Sequence, residues 1–462
     1  MTIGRTIPTT GRRSGARYGR RLRTTCIGLW LAAMFVVSGA ALAGGAPALS
    51  PRVTPPLRPV VAATTVTAAP VGNAMPIVAE SALTELAPAV AYNGDRDEYL
   101  VVWYNDRPGN DDIRAQRVNG DGKLLGGPFY IAAGSGVERR NPAVAYSSGQ
   151  QRYLVVYEHD DGTYARIYGR VIGGDGQVLG VEFPLSSGAA LKNCFTPAIA
   201  YASTADTFLV TWQRTVVAST VSDIEAQLAN GDGALSGANF FVQQGSSPFS
   251  HSAPALAYNR ARNEFLVVWA RYDGSALLTD IYGRLVTGNG QPLQPTSIEY
   301  ARMTVSNTRP AVAALPTASP IGQYLVIWEL HYAAGDRDIY GRTAAGDGTP
   351  DPGFYLSGAN VDESRPAVVG SEGRQIYFAV WQRPDVAPLA FEYIYYRRID
   401  PSGTVIGEDA WLLGSFAARP ALVNGPAGDL FVVAEDKPLL AEQGIYSQLW
   451  GDRSYLPAIL KP

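Results

Sequence analysis

The chain has 462 residues, with 38 basic and 41 acidic side chains, a formal net charge of −3, two cysteines and three histidines. The first 43 residues carry seven arginines and no acid, so the rest of the chain is acidic, with 31 basic against 41 acidic residues. This charge balance, without a basic block, argues against nucleic acid as a partner. Only Cys194 follows residue 43, which excludes an intramolecular disulfide there.

The N-terminus predicts an export signal. An arginine-rich stretch is followed by an apolar run over residues 26–42, and Ala41-Leu-Ala43 has the small-x-small pattern of a signal-peptidase site. A retained membrane anchor is the alternative, but the apolar run is at the short limit for spanning a bilayer. We therefore expect a signal peptide over 1–43, a Pro/Ala-rich spacer over 44–74, no transmembrane segment in the mature chain, and a secreted or cell-surface protein.

The remaining chain repeats one motif seven times. Each unit opens with a short run that begins with proline, and successive openings are 54 to 57 residues apart. The runs are Pro88-Ala-Val-Ala-Tyr92, Pro142-Ala-Val-Ala-Tyr146, Pro197-Ala-Ile-Ala-Tyr201, Pro254-Ala-Leu-Ala-Tyr258, Pro310-Ala-Val-Ala-Ala314, Pro366-Ala-Val-Val-Gly370 and Pro420-Ala-Leu-Val-Asn424. A fixed period of this size indicates a repeat architecture whose units bury their apolar faces against their neighbours.

Each unit predicts four short strands. The opening run is followed by an apolar run such as Tyr99-Leu-Val-Val-Trp103, then by a half-exposed strand such as Asp280-Ile-Tyr-Gly-Arg284, a tight Gly-Asp-Gly turn and a fourth run. Helical periodicity is absent from this region. Four antiparallel strands per unit predict an all-β, seven-bladed β-propeller over residues 75–462.

The two ends of the repeat region predict how the ring closes. Residues 75–79 form an outer strand without its first three partners, and the last unit lacks a fourth strand. Pairing of these two parts removes an exposed sheet edge. The C-terminal run Tyr455-Leu-Pro-Ala-Ile-Leu460 is the rival for the same place, and the N-terminal strand is favoured.

Motifs for catalysis and metal binding are missing. The sequence has no zinc-protease helix, nucleophile elbow, phosphate-binding loop or Cys-x-x-Cys pair. His159, His251 and His331 lie in different units, and we expect solvated or hydrogen-bonding roles for them. Asp-rich turns such as Asn110-Asp-Asp112 could hold Ca²⁺, but they lack the full spacing of a calcium loop, so turn and strand-capping roles are favoured. The sequence therefore predicts no catalytic residue, no metal ligand and no cofactor.

Candidate ligand-binding residues come from differences between the units. Three units carry an arginine directly before the opening proline, where the others carry Ala, Asn or Thr: Arg309, Arg365 and Arg419. Polar residues directly follow the apolar run of the second strand in the same units: Glu329, Gln382 and Glu435. Both sets should meet on one face of the propeller, near the mouth of the central channel that the blades surround. They predict either ion pairs within each blade or a polar patch that offers guanidinium groups to a carboxylate, a sulfate or sugar hydroxyls.

The repeat over residues 75 to about 455 resembles a family of exported bacterial seven-bladed β-propeller proteins that is largely uncharacterised. The resemblance rests on the Pro-Ala-Val-Ala-Tyr, Leu-Val-Val-Trp and Asp-Ile-Tyr-Gly-Arg runs, and it implies fold and export rather than an activity. The sequence favours a non-catalytic binding module for a surface glycan or an envelope protein. The alternatives are a polysaccharide-processing lyase or glycoside hydrolase on a propeller scaffold, and a structural surface-layer component.

Overall fold

The computed structural model describes residues 50–56, 74–78, 84–107, 109–187, 191–295, 297–384, 392–413, 417–425, 430–436 and 444–450. The 28 strands found in these ranges form seven antiparallel sheets of four strands each. This arrangement confirms the all-β, seven-bladed propeller predicted from the repeat. Across the same ranges, we find no helix with the length and hydropathy to cross a membrane.

The strands follow each other in chain order, with one sheet per blade. The first strand is β1 (Met75–Val78). Blade one contains β2 (Thr84–Asn93), β3 (Glu98–Asp106), β4 (Asp112–Asn119) and β5 (Leu124–Ala132); blade two contains β6 (Glu138–Ser147), β7 (Arg152–Asp160), β8 (Ala165–Gly173) and β9 (Val178–Pro184). Blade three contains β10 (Lys192–Ala202), β11 (Thr207–Val216), β12 (Ser222–Asn230) and β13 (Leu235–Gln243); blade four contains β14 (Phe249–Asn259), β15 (Glu264–Asp273), β16 (Leu278–Thr287) and β17 (Ile298–Ala301). Blade five contains β18 (Asn307–Leu315), β19 (Gln323–Ala333), β20 (Asp336–Ala345) and β21 (Phe354–Ser357); blade six contains β22 (Ser364–Ser371), β23 (Ile376–Pro384), β24 (Glu392–Ile399) and β25 (Val405–Leu413). Blade seven contains β26 (Ala417–Asn424), β27 (Leu430–Asp436) and β28 (Gly444–Trp450) together with β1.

The hydrophobic core lies between the blades rather than within them. Side chains of a strand alternate between its two faces, and the second strand of each blade uses both faces. In β3, Tyr99 and Val101 pack in a cluster with Phe431 of blade seven, whereas Leu100 and Val102 pack in a cluster with blade two. In the part of the chain that the structure describes, seven such clusters lie one at each interface between neighbouring blades.

The third strands are more buried than the sequence predicts. The alternation in Asp280-Ile-Tyr-Gly-Arg284 predicts a half-exposed strand, but most residues of β16 and β20 are buried. A blade in a closed ring has a neighbour on each face, so polar residues of the third strand are covered as well. The prediction was wrong here because alternation indicates solvent on one face only in a sheet with one packed side.

The ring closes through the N-terminal strand. Strand β1 pairs antiparallel with β28, in the register Met75 to Ser447, and supplies the fourth strand of blade seven. Ile77 and Val78 are 2% and 6% exposed and pack in the cluster between blades seven and one. This is the arrangement favoured from the sequence. The rival strand at 455–460 and the predicted signal peptide lie outside the described residues.

Part of the predicted spacer is held on the propeller. The Arg52 guanidinium binds both carboxylate oxygens of Asp280 and donates to Asp273 Oδ2 at 3.2 Å and to the Met303 carbonyl oxygen at 3.0 Å. Val53 forms a parallel bridge with Met303. Asp280 is fully buried, so the guanidinium supplies a counter-charge that this carboxylate requires.

Strand β1 should contribute measurably to stability. We expect Ile77→Ala to lower the free energy of unfolding by about 2–5 kcal/mol, because it leaves a cavity in the cluster between blades seven and one. Pro76 is exposed on the same strand, and Pro76→Ala is the control, with an expected change of about 0.5 kcal/mol or less. Denaturant unfolding measures both variants. Equal stability of Ile77→Ala and the unmodified protein would show that β1 is not part of the cooperative fold.

Candidate functional site

The first strand of every blade begins, and the second ends, on one face of the disc, which we call the proline face. The residue directly before the repeated proline has a left-handed backbone, with φ between 49° and 56°, in all seven blades: Ala87, Asn141, Thr196, Ala253, Arg309, Arg365 and Arg419. The pairing of first and second strands shifts register at this point, as in a β-bulge. Left-handed backbone is uncommon for residues other than glycine, and a following proline favours an extended conformation. Tertiary contacts must therefore hold these seven residues.

One such contact is a hydrogen bond from the left-handed residue to the preceding blade. The acceptor is the side chain that directly follows the apolar run of the second strand, which ends in an aromatic residue in blades two, five and six and in Ala434 in blade seven. Thr196 N donates to Glu158 Oε1 at 2.6 Å, Arg365 N to Glu329 Oε1 at 2.8 Å, Arg419 N to Gln382 Oε1 at 3.3 Å, and Ala87 N to Glu435 Oε1 at 2.7 Å. We call these four hydrogen bonds the blade latches. They explain why buried carboxylates recur at this place in the repeat.

Two of the latch carboxylates also form the ion pairs expected within their blades. Arg309 Nε lies 3.7 Å from Glu329 Oε1, and Arg419 Nη1 lies 3.3 Å from Glu435 Oε1. Glu329 and Glu435 are 1% and 0% exposed, whereas the arginine side chains are 50% and 31% exposed. Each carboxylate therefore joins two blades through a backbone N–H group and also orients a guanidinium group at the channel mouth.

Blade six lacks the third ion pair because it carries Gln382 in place of a glutamate. Among the described residues, the Arg365 guanidinium has no hydrogen bond and no carboxylate within ion-pair distance. Burial, together with the charges of Arg419 and Arg309, lowers the pKa of Arg365 to about 10, and the charges of Glu435 and Glu329 offset only part of this effect. The three arginines, which we call the arginine cluster, are therefore close enough to repel one another, and two carboxylates serve three guanidinium groups.

The arginine cluster has further polar neighbours that the sequence did not identify. Glu329 Oε2 accepts hydrogen bonds from Thr308 Oγ1 at 3.0 Å and Arg337 Nη1 at 3.2 Å. Arg419 lies near the phenol of Tyr104 in blade one, and burial raises the pKa of that phenol while Arg419 lowers it. Glu158 shares the position of Glu329 in the repeat, so comparison of the units by position could have identified it. Tyr104 holds the same position in blade one, directly after Trp103, so the same comparison could have identified it, although its contact with Arg419 crosses the interface between blades seven and one.

The histidines have packing and hydrogen-bonding roles inside strands. The His159 ring stacks on Tyr168 with centroids 3.9 Å apart, and His331 Nε2 lies 2.8 Å from Thr308 Oγ1. Burial, together with the charge of Arg271, lowers the pKa of His251 to about 4. In the ranges that the structure describes, no group of three or more His, Cys, Asp and Glu side chains is arranged to hold a metal ion.

The blade latches should stabilise the interfaces that they cross. We expect Glu158→Ala to lower the free energy of unfolding by about 1–3 kcal/mol, because the Thr196 N–H group loses a buried side-chain acceptor. Glu158→Gln should have a smaller effect, since its amide oxygen can accept the same bond and burial already raises the pKa of Glu158. Denaturant unfolding measures both variants.

Gln213 provides the matched control for this latch. It holds the same place in blade three, and its amide group donates to Ser222 Oγ at 3.2 Å. Gln213→Ala should therefore be milder than Glu158→Ala. Equal losses for the two alanine variants would contradict a stabilising role for the latch.

Comparison with solved structures finds similar propeller folds at low sequence identity. A protein of unknown function from Dyadobacter fermentans is 13% identical, with a TM-score of 0.48 over 81% of this chain and 97% of that chain. An α-L-arabinofuranosidase from Fusarium graminearum is 12% identical, with a TM-score of 0.45 over 81% and 96% of the two chains. A Hadza microbial sialidase is 11% identical, with a TM-score of 0.45 over 76% of each chain. No family model and no curated protein matches the sequence. These similarities concern the fold alone.

Proposed function

We propose that this protein is a secreted or cell-surface binding module, without catalysis, that holds an anionic group of its ligand at the arginine cluster on the proline face. The observation that carries the proposal is that Arg365 has no ion-pair partner among the described residues and lies near the charges of Arg309 and Arg419. Its own blade supplies the amide of Gln382 where blades five and seven supply Glu329 and Glu435. A half-buried guanidinium group without an ion-pair partner is a strong site for an anion.

The geometry of the cluster supports a planar or tetrahedral oxyanion as the bound group. A guanidinium group offers a fork of N–H donors that matches a carboxylate, sulfate or phosphate. Arg309 and Arg419 are oriented by their carboxylates on either side of Arg365. The repulsion within the arginine cluster would be relieved by one bound anion. With the predicted export signal, a surface glycan that carries carboxylate or sulfate groups, or an acidic envelope protein, fits this site best.

Binding is favoured over catalysis because the carboxylates at the channel mouth already have structural partners. Glu329 and Glu435 are buried, accept backbone N–H groups across blade interfaces, and contact arginines. A general base needs a free lone pair aimed at the substrate. These carboxylates stabilise the ring and position guanidinium groups instead.

Restoring the missing carboxylate should remove the site. We expect Gln382→Glu to weaken binding of acidic glycans by about 10- to 100-fold, since a hydrogen bond to a charged group contributes about 1.5–3 kcal/mol and the new carboxylate would occupy Arg365. Its Oε1 atom can still accept from Arg419 N, so the latch should be kept. Glycan-array screening and titration calorimetry with oligogalacturonate and heparin fragments measure the effect.

The same substitution elsewhere controls for added negative charge. Gln213→Glu places the carboxylate at the equivalent position of blade three, where the residue before proline is Thr196, and should leave binding unchanged. Arg365→Ala should abolish binding, because it removes the guanidinium group that holds the anion. The fold should be kept, because units one and four form blades with alanine at that position. Anion binding that is unchanged by both Gln382→Glu and Arg365→Ala would refute the proposal.

Removal of a carboxylate should act in the opposite direction. We expect Glu329→Gln and Glu435→Gln each to tighten binding of the same acidic fragments by roughly tenfold or less, because each frees one guanidinium group. The amide oxygen can keep the latch to Arg365 N or Ala87 N. Titration calorimetry of the two variants measures the change, and weaker anion binding by a variant of normal melting temperature would argue against the arginine cluster as the site.

A further inference from the structure

The opposite face of the disc, which we call the hairpin face, carries the turns between first and second strands and the hairpins between third and fourth strands. In blades one to four, the penultimate residue of the first strand is a tyrosine whose hydroxyl group reaches these turns. Three hydroxyl groups donate to a side chain five residues later in their own blade: Tyr92 to Asp97 at 3.0 Å, Tyr201 to Asp206 at 2.7 Å, and Tyr258 to Asn263 at 2.8 Å. The repeat thus has a regular partner for this phenol.

Blade two departs from this rule. The residue five positions after Tyr146 is Gln151, and the Tyr146 hydroxyl group donates instead to Asp95 Oδ2 of blade one, at 2.6 Å. The backbone of the turn is unchanged, since Gln151 has φ of 52°, as has Asp97. The phenols of blades three and four also contact the preceding blade, since they accept the Gly149 N–H group at 3.2 Å and the Thr204 N–H group at 3.3 Å. The side chain at this position therefore decides where the phenol donates, to its own blade or to a carboxylate of the neighbouring blade.

A cavity of about 480 Å³ lies where the phenol crosses. Its walls come from three segments: the turn of blade one at Asp95 and Arg96, residues 150–152 of blade two together with Tyr146, and the β8–β9 hairpin of blade two. Small-molecule sites in proteins have volumes of roughly 300–1,000 Å³. The cavity is therefore large enough for one or two sugar rings.

The lining of the cavity selects a chemical class of ligand. Asp95 and Asp175 balance the charges of Arg96 and Arg152, so neither an anion nor a cation finds an excess of opposite charge. Leu179 adds only a small apolar surface. Carboxylates accept, guanidinium groups donate, and the amides of the glutamines do both. A hydroxyl group also donates and accepts, and the Tyr146 ring can pack against the C–H face of a sugar.

We propose that this cavity, formed where Tyr146 crosses from blade two to Asp95 of blade one, is a binding site for neutral carbohydrate. The site is on the face of the disc opposite the arginine cluster and does not depend on the proposed anion site. A glycan with acidic and neutral parts, or two separate glycans, would meet the protein on both faces. Both sites were identified in the same way, from a residue that differs from its counterparts in the other blades: Gln382 at the arginine cluster and Gln151 at this cavity.

The sharpest test restores the rule of the repeat. In Gln151→Asp, blade two gains the turn residue of blades one and three, and the phenol of Tyr146 should return to its own blade. Aspartate tolerates the left-handed backbone well, so the variant should fold normally. Saturation-transfer NMR and calorimetry on the intact protein, with maltotriose, cellotriose and N,N′-diacetylchitobiose as ligands, measure binding. We expect at least one of these sugars to bind, and its affinity to be about tenfold or more lower in the variant.

Two matched controls accompany this test. Gln375→Asp makes the same change at the same turn position of blade six, where φ is 53° and the first strand offers Gly370 instead of a tyrosine. Asp175→Asn removes a charge from the cavity and should weaken binding, whereas Asp232→Asn changes the equivalent hairpin of blade three and should not. Both aspartates accept a backbone N–H group of their hairpin, at 3.0 and 2.9 Å, so the two changes perturb the fold alike.

The outcomes separate this proposal from the anion site. Binding of a neutral sugar that is lost in Gln151→Asp and Asp175→Asn, but kept in Gln375→Asp, Asp232→Asn and Gln382→Glu, supports it. Absence of saturation transfer to all three sugars overturns it, and so does sugar binding that Gln151→Asp leaves unchanged. Binding of acidic fragments alone at this cavity would overturn the assignment to neutral carbohydrate.

Discussion

The whole structure depends on burial of the second strands between neighbouring blades. Each of these strands is apolar on both faces, as Tyr99 and Leu100 show in β3, so a single blade cannot bury its own core. The only arrangement that covers every such strand is a closed ring. Closure therefore requires every interface, including the one between blades seven and one, and β1 completes the sheet at that interface. The strand lies far from β28 in the chain, which ties the N-terminal part of the domain to its end.

Ring closure also requires hydrogen-bond acceptors for backbone N–H groups at the channel mouth. The left-handed residues before the repeated prolines carry backbone N–H groups that point towards the preceding blade, and Glu or Gln side chains accept four of them. These acceptors must be buried to reach the backbone. In blades five and seven the same carboxylates also form ion pairs with Arg309 and Arg419. The same residues therefore determine both the stability of the interface and the charge at the channel mouth. In blade six, the Gln382 amide provides the hydrogen bond across the interface without the negative charge.

Repetition makes departures from the repeat informative. A residue found in most blades contributes to the packing that every blade shares. A residue that differs in one blade does not make the shared contact, and its neighbours there can take other partners. Gln382 keeps the latch but cannot form the ion pair, so Arg365 has no ion-pair partner among the described residues. Gln151 keeps the left-handed turn but gives up the phenol of Tyr146, which crosses to Asp95. One exception lies on each face of the disc, and each creates a polar site of different charge.

The sequence by itself determined the number of blades, the four strands in each blade, the favoured closing strand and the face on which Arg309, Arg365 and Arg419 lie, because these features follow from period, alternation and strand direction. Only the tertiary structure decided the left-handed backbone before each proline, which local preference opposes, and the direction of Glu329 and Glu435 towards the following blade. It also decided the contact of Arg52 with Asp280, which joins residues 228 positions apart. The physical reason is that local patterns set how a strand forms, whereas hydrogen bonds of buried polar groups depend on which atoms neighbouring blades bring within reach.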